Sequence, residues 1–462
     1  MKTAHVIGLG RSGIAAARVL ARQGYSVTLS DRGPANRHRD DAKALKEEGI
    51  TVKLNHAFSP ESDSEAGLSL LVVSPGVPWD APELVTARQK GIETIGEMEL
   101  AWRNLSDRPW LGITGTNGKT TTTALVAAIF KAAGLHAPAC GNIGYAACEL
   151  ALTDSPDWVI AELSSYQIEA AESLAPTIGI WTTFTPDHLS RHKTVENYYS
   201  IKASLISRAE VAVLNGDDPT IRQKAAALFP AAKWTSIKGK DALAQPSLTG
   251  ESASLVADAY IEDGWAIYKG EKIVEARALR MVGEHNQQNL LMAVAAAKLA
   301  GIETEAIARG VSAFPGVSHR LEHVCTWRGV DFINDSKATN YDAAEVGLRS
   351  VNGPTVLIAG GAPKDGEDTA WIEQIKQRAA AVLLVGDAAE SFAKRLEESG
   401  YQAYEIVETI DRAVARSADI TKEQSIKTVL LSPACASFDQ YANFEVRGDD
   451  FRQVCTKYLG EL

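Results

Sequence analysis

Cysteine is scarce: Cys140, Cys148, Cys325, Cys435 and Cys455 are the only five in 462 residues, an odd number without any C-x-x-C pair. That argues against a disulfide framework or a thiolate metal site and leaves buried, reduced thiols. No apolar run approaches the roughly 18 residues of a membrane span. The opening MKTAHVIGLG reads as a short strand entering a glycine turn, without the longer apolar region and cleavage site of a secretory signal. A soluble, cytoplasmic protein is expected. Low-complexity tracts are missing as well, and 45% hydrophobic with 23% charged residues is the composition of a globular chain. Finally, there is no excess of positive charge: 47 Lys and Arg against 58 Asp and Glu leave a net charge of −11. Such a balance repels polyanions and argues against nucleic acid, so any small anionic ligand needs local cations or backbone amides.

A length of 462 residues suggests about three domains at roughly 150 residues each. Apolar strand-like runs alternate with helical patterns throughout, which predicts an α/β fold of parallel sheets with helices on their faces. Strands are expected at Ala4 to Ile7, Ser26 to Ser30, Leu68 to Val73, Trp110 to Thr114, Trp158 to Ala161, Ile178 to Thr183 and Val211 to Asn215. Helices are expected at Ile14 to Gln23 and in EMELAWRNL, and another follows Gly118 with Leu125, Ala128, Ile129 and Ala132 on one face. Residues 233–283 alternate as a small antiparallel insert would. The Pro- and Gly-containing FPGVSHRLE marks a boundary, after which strands are expected at Val330 to Asn334, Val356 to Ala359, Ala381 to Val385 and Thr428 to Ser432. The domains are therefore placed at 1–96, 97–316 and 317–462.

Two glycine loops carry the chemistry. GLGRSG, with Gly8, Gly10 and Gly13, follows a strand, opens a helix and precedes Asp31 at the end of the next strand. That is the setting of a dinucleotide fingerprint: glycines let the backbone approach a pyrophosphate and the helix start supplies free amides. On these residues alone an NAD-linked oxidoreductase, a diphosphate site of another kind and a ligand-free turn all remain open. The second loop, GITGTNGKT, departs from the strict P-loop spacing because Ile113 stands where a glycine belongs. Its parts are nonetheless present: Gly115 and Gly118 free the backbone, Lys119 brings a point charge and Thr120 a hydroxyl for Mg²⁺. ATP is the expected ligand.

GTNGKT, GNIG at Gly141 to Gly144, ELSSYQ at Glu162 to Gln167, TPDHLSRH at Thr185 to His192 and GEHNQQN at Gly283 to Asn289 resemble, in order, the motifs of the Mur ligases. These are ATP-dependent amide-forming enzymes of peptidoglycan precursor synthesis. The last third, with NDSKATN at Asn334 to Asn340, GGAPKDGED at Gly360 to Asp368 and SPACASFDQYANFEVRGDDF at Ser432 to Phe451, resembles the members that use glutamate. The resemblance covers essentially the whole chain. It implies a Rossmann-like N-terminal domain, a P-loop-like central ATPase domain and a Rossmann-like C-terminal domain. It also implies addition of D-glutamate to UDP-N-acetylmuramoyl-L-alanine through an acyl phosphate, by a monomer without nucleic-acid or membrane partners.

What it implies for residues is specific. Gly10, Arg11, Ser12, Gly13, Asp31, Arg32, Ser74, Pro75 and Gly76 would hold the UDP substrate. Gly115, Thr116, Asn117, Gly118, Lys119, Thr120, Thr121, Asn142, Asn286, Asn289, Arg320, Asp335 and Lys337 would hold ATP, although Asn286 and Asn289 also suit a helix cap. Thr120, Glu162, His188 and a carbamylated Lys202 would hold two Mg²⁺ ions. Lys119, His188, Lys202 and Arg320 would be catalytic, and Thr339, Lys364, Ser437 and Phe444 would receive glutamate, with His319 a weaker substrate contact. Groups from all three domains imply closure of the third upon nucleotide binding. Ser190, Arg11, Arg32 and the form of GGAPKDGED depart from the family pattern, which bears on fine substrate contacts such as the choice of glutamate isomer.

Overall fold

Three parallel-rich sheets account for the alternation of apolar runs and helices in the computed structural model. It describes residues 2–33, 39–63, 67–153, 156–243, 255–281, 283–363 and 366–460. The first sheet holds β1 (Thr3–Ile7), β2 (Ser26–Asp31), β3 (Thr51–Leu54), β4 (Leu68–Val73) and β5 (Glu93–Gly96). All five are parallel in the order β3-β2-β1-β4-β5, the Rossmann half-fold arrangement.

The central sheet holds β6 (Trp110–Thr114), β7 (Ala139–Gly141), β8 (Val159–Glu162), β9 (Ile178–Trp181), β10 (Val211–Asn215) and β11 (Lys233–Ser236), then β12 (Ala259–Glu262), β13 (Trp265–Tyr268) and β14 (Glu271–Glu275). Its order is β14-β13-β12-β11-β10-β9-β6-β8-β7. β6 is buried at every residue, as a strand covered on both faces must be. Its partners are Glu162 beside Ile113 on one side and Trp181 beside Thr114 on the other. The carboxyl ends of β6, β8 and β9 thus lie side by side, and the loops leaving them share one crevice.

The third sheet holds β15 (Glu322–Trp327), β16 (Val330–Asn334), β17 (Thr355–Gly360), β18 (Ala379–Val385), β19 (Tyr404–Glu408) and β20 (Thr428–Leu431), ordered β15-β16-β20-β17-β18-β19. Only β15 runs antiparallel to its neighbour. By compactness the chain forms two units, Met1–Leu279 with Gln287–Phe314, and Arg280–Asn286 with Pro315–Leu462. No helix among the described residues is long and apolar enough to cross a membrane.

β4, β6, β10, β16 and the helix Glu97–Leu105 fall where the sequence places them. The first helix begins earlier, at Arg11, because the glycine loop's own residues form its first turn. Residues 233–283 are not a separate antiparallel insert. A helix, Pro219–Leu228, carries the chain back so that β11 joins β10 in parallel, and β12 joins β11 in parallel too. Among the described residues of this sheet, the antiparallel pairings are β12 with β13 and β13 with β14. Two-residue turns at Asp263-Gly264 and Lys269-Gly270, all with positive φ, connect them as type I′ hairpins require.

The first domain has a built-in sensitivity to acid. His5 is buried in β1, 2.8 Å from the Ser30 hydroxyl and edge-on to Phe58. Burial, opposed by Asp63 and aided by Lys53 and His56, lowers its pKa from 6.5 to about 4. Burial would raise the Asp63 carboxyl, but hydrogen bonds from Lys53, the Ser59 amide and His56 hold it well below the usual carboxylate range. Between pH 6.5 and about 4 the unfolded chain binds a proton at His5 that the folded chain refuses, so stability falls with pH. Below that window the Asp63 contribution is lost as well. In urea unfolding at pH 7 and pH 4.5, His5→Gln should lose less stability on acidification than the wild type; an equal loss in both would refute this role.

Candidate active site

The central glycine loop is shaped by a close approach of two backbones. β6 ends at Thr114, and the helix Lys119–Ala132 begins immediately after Gly118 without a side-chain cap, leaving its first amides directed outward. Threonines following β9 hold the loop: Thr182 Oγ1 donates to Asn117 O at 2.5 Å, and the Asn117 amide donates to Thr183 Oγ1 at 2.9 Å. The Thr116 amide donates to Thr183 O, and Thr116 Oγ1 to Thr185 O. A side chain at Gly115 (φ 148°) would put its Cβ 1.9 Å from Thr182 Oγ1, and one at Gly118 would meet Asn289 Oδ1 at 2.7 Å. Both glycines are therefore dictated by packing. Lys119 Nζ donates to Gly115 O and Thr116 O, while Asn289 accepts from Thr122 Oγ1. Thr121 is buried in the first turn of the helix.

Glu162 closes the crevice from the end of β8. It is 1% exposed. Its Oε1 accepts from Thr120 Oγ1 at 3.3 Å and from Asn142 Nδ2 at 2.8 Å. Its Oε2 is buried with no hydrogen-bond partner, a position that a divalent cation would satisfy. A hydroxyl and a carboxylate are the oxygen donors Mg²⁺ takes, so the pair fits that ion. Lys202 is equally buried, at 1% exposure. Its Nζ donates to Gly115 O at 2.8 Å and lies 4.6 Å from the Tyr198 ring centre. Burial, helped by Lys119 and opposed by Asp187, drives its pKa well below the ordinary lysine value. His188 has a left-handed backbone (φ 55°), sits 3.6 Å from Asp187 and packs on Tyr166. Among the described residues no group of three or more His, Cys, Asp and Glu side chains is arranged to hold a metal.

In the first glycine loop, Gly13 lets the helix pass the Gly8 carbonyl, which a Cβ would approach to 1.9 Å. Both Asp31 oxygens accept backbone amides, from Leu9 and Gly33, so this carboxylate shapes the loop as well as facing it. Ser74 Oγ donates to Gly8 O at 3.3 Å, placing the Ser74-Pro75-Gly76 turn against the loop. Gly10 and Gly76 are exposed, and Ser12 and Pro75 are half-buried. Arg32 pairs with Glu83. Arg11 is directed away from the loop, onto Glu149 and the Gly144 carbonyl.

The second unit gathers its own cluster. Asp335 follows β16 and accepts from Ser432 Oγ and the Leu321 amide; burial, against Arg320 and these donors, pushes its pKa up to about 7. Arg320 Nε is buried without a hydrogen-bond partner. Lys337 Nζ stands 5.4 Å from the Phe444 ring, Ser437 is 2% exposed, and the Thr339 amide donates to Lys337 O. His319 ring Nδ1 lies 3.1 Å from Asn334 Nδ2. Asn286 is fully buried near the start of the helix Glu284–Leu299. Lys364 lies outside the described residues.

Fold and site together define a multi-domain α/β protein with two anion-ready glycine loops, one of them backed by a buried lysine and a buried carboxylate. Family models match three stretches: the MurD-like N-terminal domain of Mur ligases over 2–96, the Mur ligase middle domain over 113–297 and the Mur ligase glutamate ligase domain over 319–435. The chain is 61% identical to a UDP-N-acetylmuramoylalanine–D-glutamate ligase of Microcystis aeruginosa, over 98% of this chain and 99% of the relative. It is 59% identical to one of Nostoc punctiforme, over 98% and 96%. Among solved structures, the UDP-N-acetylmuramate–alanine ligase of Thermotoga maritima matches with a TM-score of 0.60 at 19% identity, over 99% of this chain and 100% of that one. A pseudomurein peptide ligase type C of Methanothermus fervidus matches with 0.60 at 18%, over 99% and 100%; both likenesses concern the fold. The chain belongs to the Mur ligase family.

Residues that the motifs did not single out also build the site. Thr182 and Thr183 hold the loop, Glu149 holds Arg11, and the buried Arg447 donates to Ser336 Oγ and to the carbonyls of Ser336, Cys435 and Ala436. The string TTFTP after an apolar strand was the available signal for the threonines. Because the Cβ of Gly115→Ala would overlap Thr182 Oγ1 at a φ that alanine avoids, this variant should lose about 2–3 kcal/mol of stability. Chemical denaturation measures it, and a loss within error of zero would contradict the packing account.

Proposed function

We propose that this chain is the ATP-dependent ligase that adds D-glutamate to UDP-N-acetylmuramoyl-L-alanine, in the cytoplasm, during peptidoglycan precursor synthesis. The observation that carries the reading is full-length identity of about three residues in five to relatives bearing that activity as their name. The two glycine loops within one compact unit support it. Residues 1–96 hold the UDP handle, 97–316 the ATP, and 317–462 the glutamate.

A carboxylate cannot expel oxide at neutral pH, so amide formation requires activation. An oxygen of the alanyl carboxylate attacks the γ-phosphorus of ATP; a P–O bond forms, the bond to ADP breaks, and an acyl phosphate results. The glutamate amine, having lost a proton to become neutral, attacks the acyl carbon; an N–C bond forms, the nitrogen gives up a second proton, and inorganic phosphate leaves with the electron pair of the C–O bond. Negative charge accumulates in both steps, so positioned cations and amides supply most of the catalysis. Loop amides of 115–118 and Lys119 bind the phosphates. Thr120 and Glu162 hold Mg²⁺, which when bound offsets phosphate charge. Asn142 and Asn289 brace this assembly, and Arg320, Asp335 and Lys337 complete the nucleotide's contacts. Thr339, Lys364, Ser437 and Phe444 take the incoming glutamate, with Lys364 supplying the cation that an acidic amino acid needs.

Lys202 fits a carbamate. Burial lowers its pKa and so favours the neutral amine, the form that attacks CO₂: an N–C bond forms, one proton leaves the nitrogen to solvent, and a neutral amine becomes a −1 carbamate. That group can face a second Mg²⁺ together with His188; an ammonium could not.

Phosphate release from ATP should require both UDP-N-acetylmuramoyl-L-alanine and glutamate, and should proceed with the D isomer in preference to the L. Release without either acceptor, or none with both, would overturn the reading. Lys202→Ala should lower kcat by about 100-fold or more, with part of the loss restored by added short carboxylic acids. Full activity, or a loss that carboxylic acids leave untouched, would exclude the carbamate.

A further inference from the structure

Arg11 stands in the first glycine loop, at the first residue of the helix Arg11–Arg22. A cation there faces the positive end of the helix dipole, so it must either meet an anionic ligand or find an acid elsewhere. It does the second. Nε and Nη2 form a fork on Glu149, with Nε 2.9 Å from Oε1 and Nη2 2.9 Å from Oε2, while Nη1 donates to Gly144 O at 2.6 Å. The guanidinium also lies 5.5 Å from the Tyr145 ring centre. Glu149 in turn accepts the Ala146 amide and so closes the start of the helix Ala147–Leu152.

The contacts continue toward the nucleotide side. Gly144 (φ 63°) belongs to the turn in which the Gly141 amide donates to Tyr145 O at 2.8 Å. The next residue, Asn142, donates its backbone amide to Glu162 O at 3.0 Å and its side-chain amide to Glu162 Oε1 at 2.8 Å. Glu162 receives Thr120 on the same oxygen. Arg11 therefore grips the far end of the turn that carries Asn142.

We propose that Arg11, together with Glu149, is a positioning residue for the nucleotide and Mg²⁺ half of the site, not a ligand of the uridine diphosphate whose loop it occupies. The inference rests on the functional reading above. An exposed forked pair is worth about 1 kcal/mol, or about fivefold in affinity, and the variants are chosen to show where that is felt. Binding of a non-hydrolysable ATP analogue with Mg²⁺, and separately of UDP, is measured by calorimetry on the full chain for Arg11→Ala, Arg11→Lys, Glu149→Gln and the double variant Arg11→Ala/Glu149→Gln. Arg11→Lys keeps the charge and loses the fork, and serves if Arg11→Ala does not fold.

The expected result is a weakening of the ATP analogue by about fivefold in each single variant, no further weakening in the double variant, and UDP affinity unchanged. Weakened UDP binding with intact nucleotide binding, a silent Glu149→Gln, or additive losses in the double variant would each overturn the proposal. Wild type that binds the analogue beside variants that bind it equally well defeats the role of Arg11 alone. Wild type that binds no nucleotide defeats the functional reading and this inference with it.

Discussion

The close approach of the chain leaving β9 to the loop leaving β6 governs the rest of the first unit. Thr182 and Thr183 occupy the space that a side chain at Gly115 would need and bind the backbone of Asn117 from two sides. With the loop fixed in this way, the helix beginning at Lys119 starts where its amides face the crevice, and Thr120 is delivered to Glu162. The parallel register that aligns Ile113 with Glu162 and Thr114 with Trp181 brings these loops together, so sheet order and site geometry are one constraint.

Around that loop, charge is buried in a way that stability alone would not favour. Lys202 and Glu162 are both 1% exposed, and taking ionised groups out of water costs several kcal/mol unless they are paired and hydrogen-bonded. At Lys202 burial lowers the pKa well below the ordinary lysine value, with Lys119 nearby adding to the effect. Glu162 keeps one oxygen hydrogen-bonded and the other unpartnered. These are the marks of a surface arranged for ligands rather than for a quiet core. Arg447 shows the contrasting solution: it satisfies its guanidinium on a serine hydroxyl and carbonyl oxygens and ties the loops after β16 and β20 together.

The strands legible in the sequence were those buried on both faces, such as β4, β6 and β10, where continuous apolar residues leave little doubt. β3, β5 and β7 escaped because they are short, and β15 and β19 because charged and partly exposed residues interrupt their apolar pattern at the sheet edges, as EHVCTW and YEIVE show. The apparent antiparallel insert was half right: hairpin turns are written locally as Asp-Gly and Lys-Gly, whereas the parallel return of β11 depends on a helical crossover that periodicity does not reveal. Of the site, the glycines, Lys119 and Thr120 could be read because spacing from strand to helix fixes them, whereas Glu162 stood out only through the resemblance of ELSSYQ to a family motif. The direction of Arg11 could not, since its partner Glu149 lies 138 residues away. The same is true of Thr182, whose role exists only through the pairing of β6 with β9.

In the proposed reaction the terminal phosphoryl group, held over Lys119, passes to a carboxylate before any amide bond forms. Oxygen-18 placed in the alanyl carboxylate of the UDP-linked substrate tests it most directly, with the released inorganic phosphate analysed by mass spectrometry after amide formation. One labelled oxygen in each phosphate is the predicted result. Phosphate free of label, with amide formed, would contradict the claim.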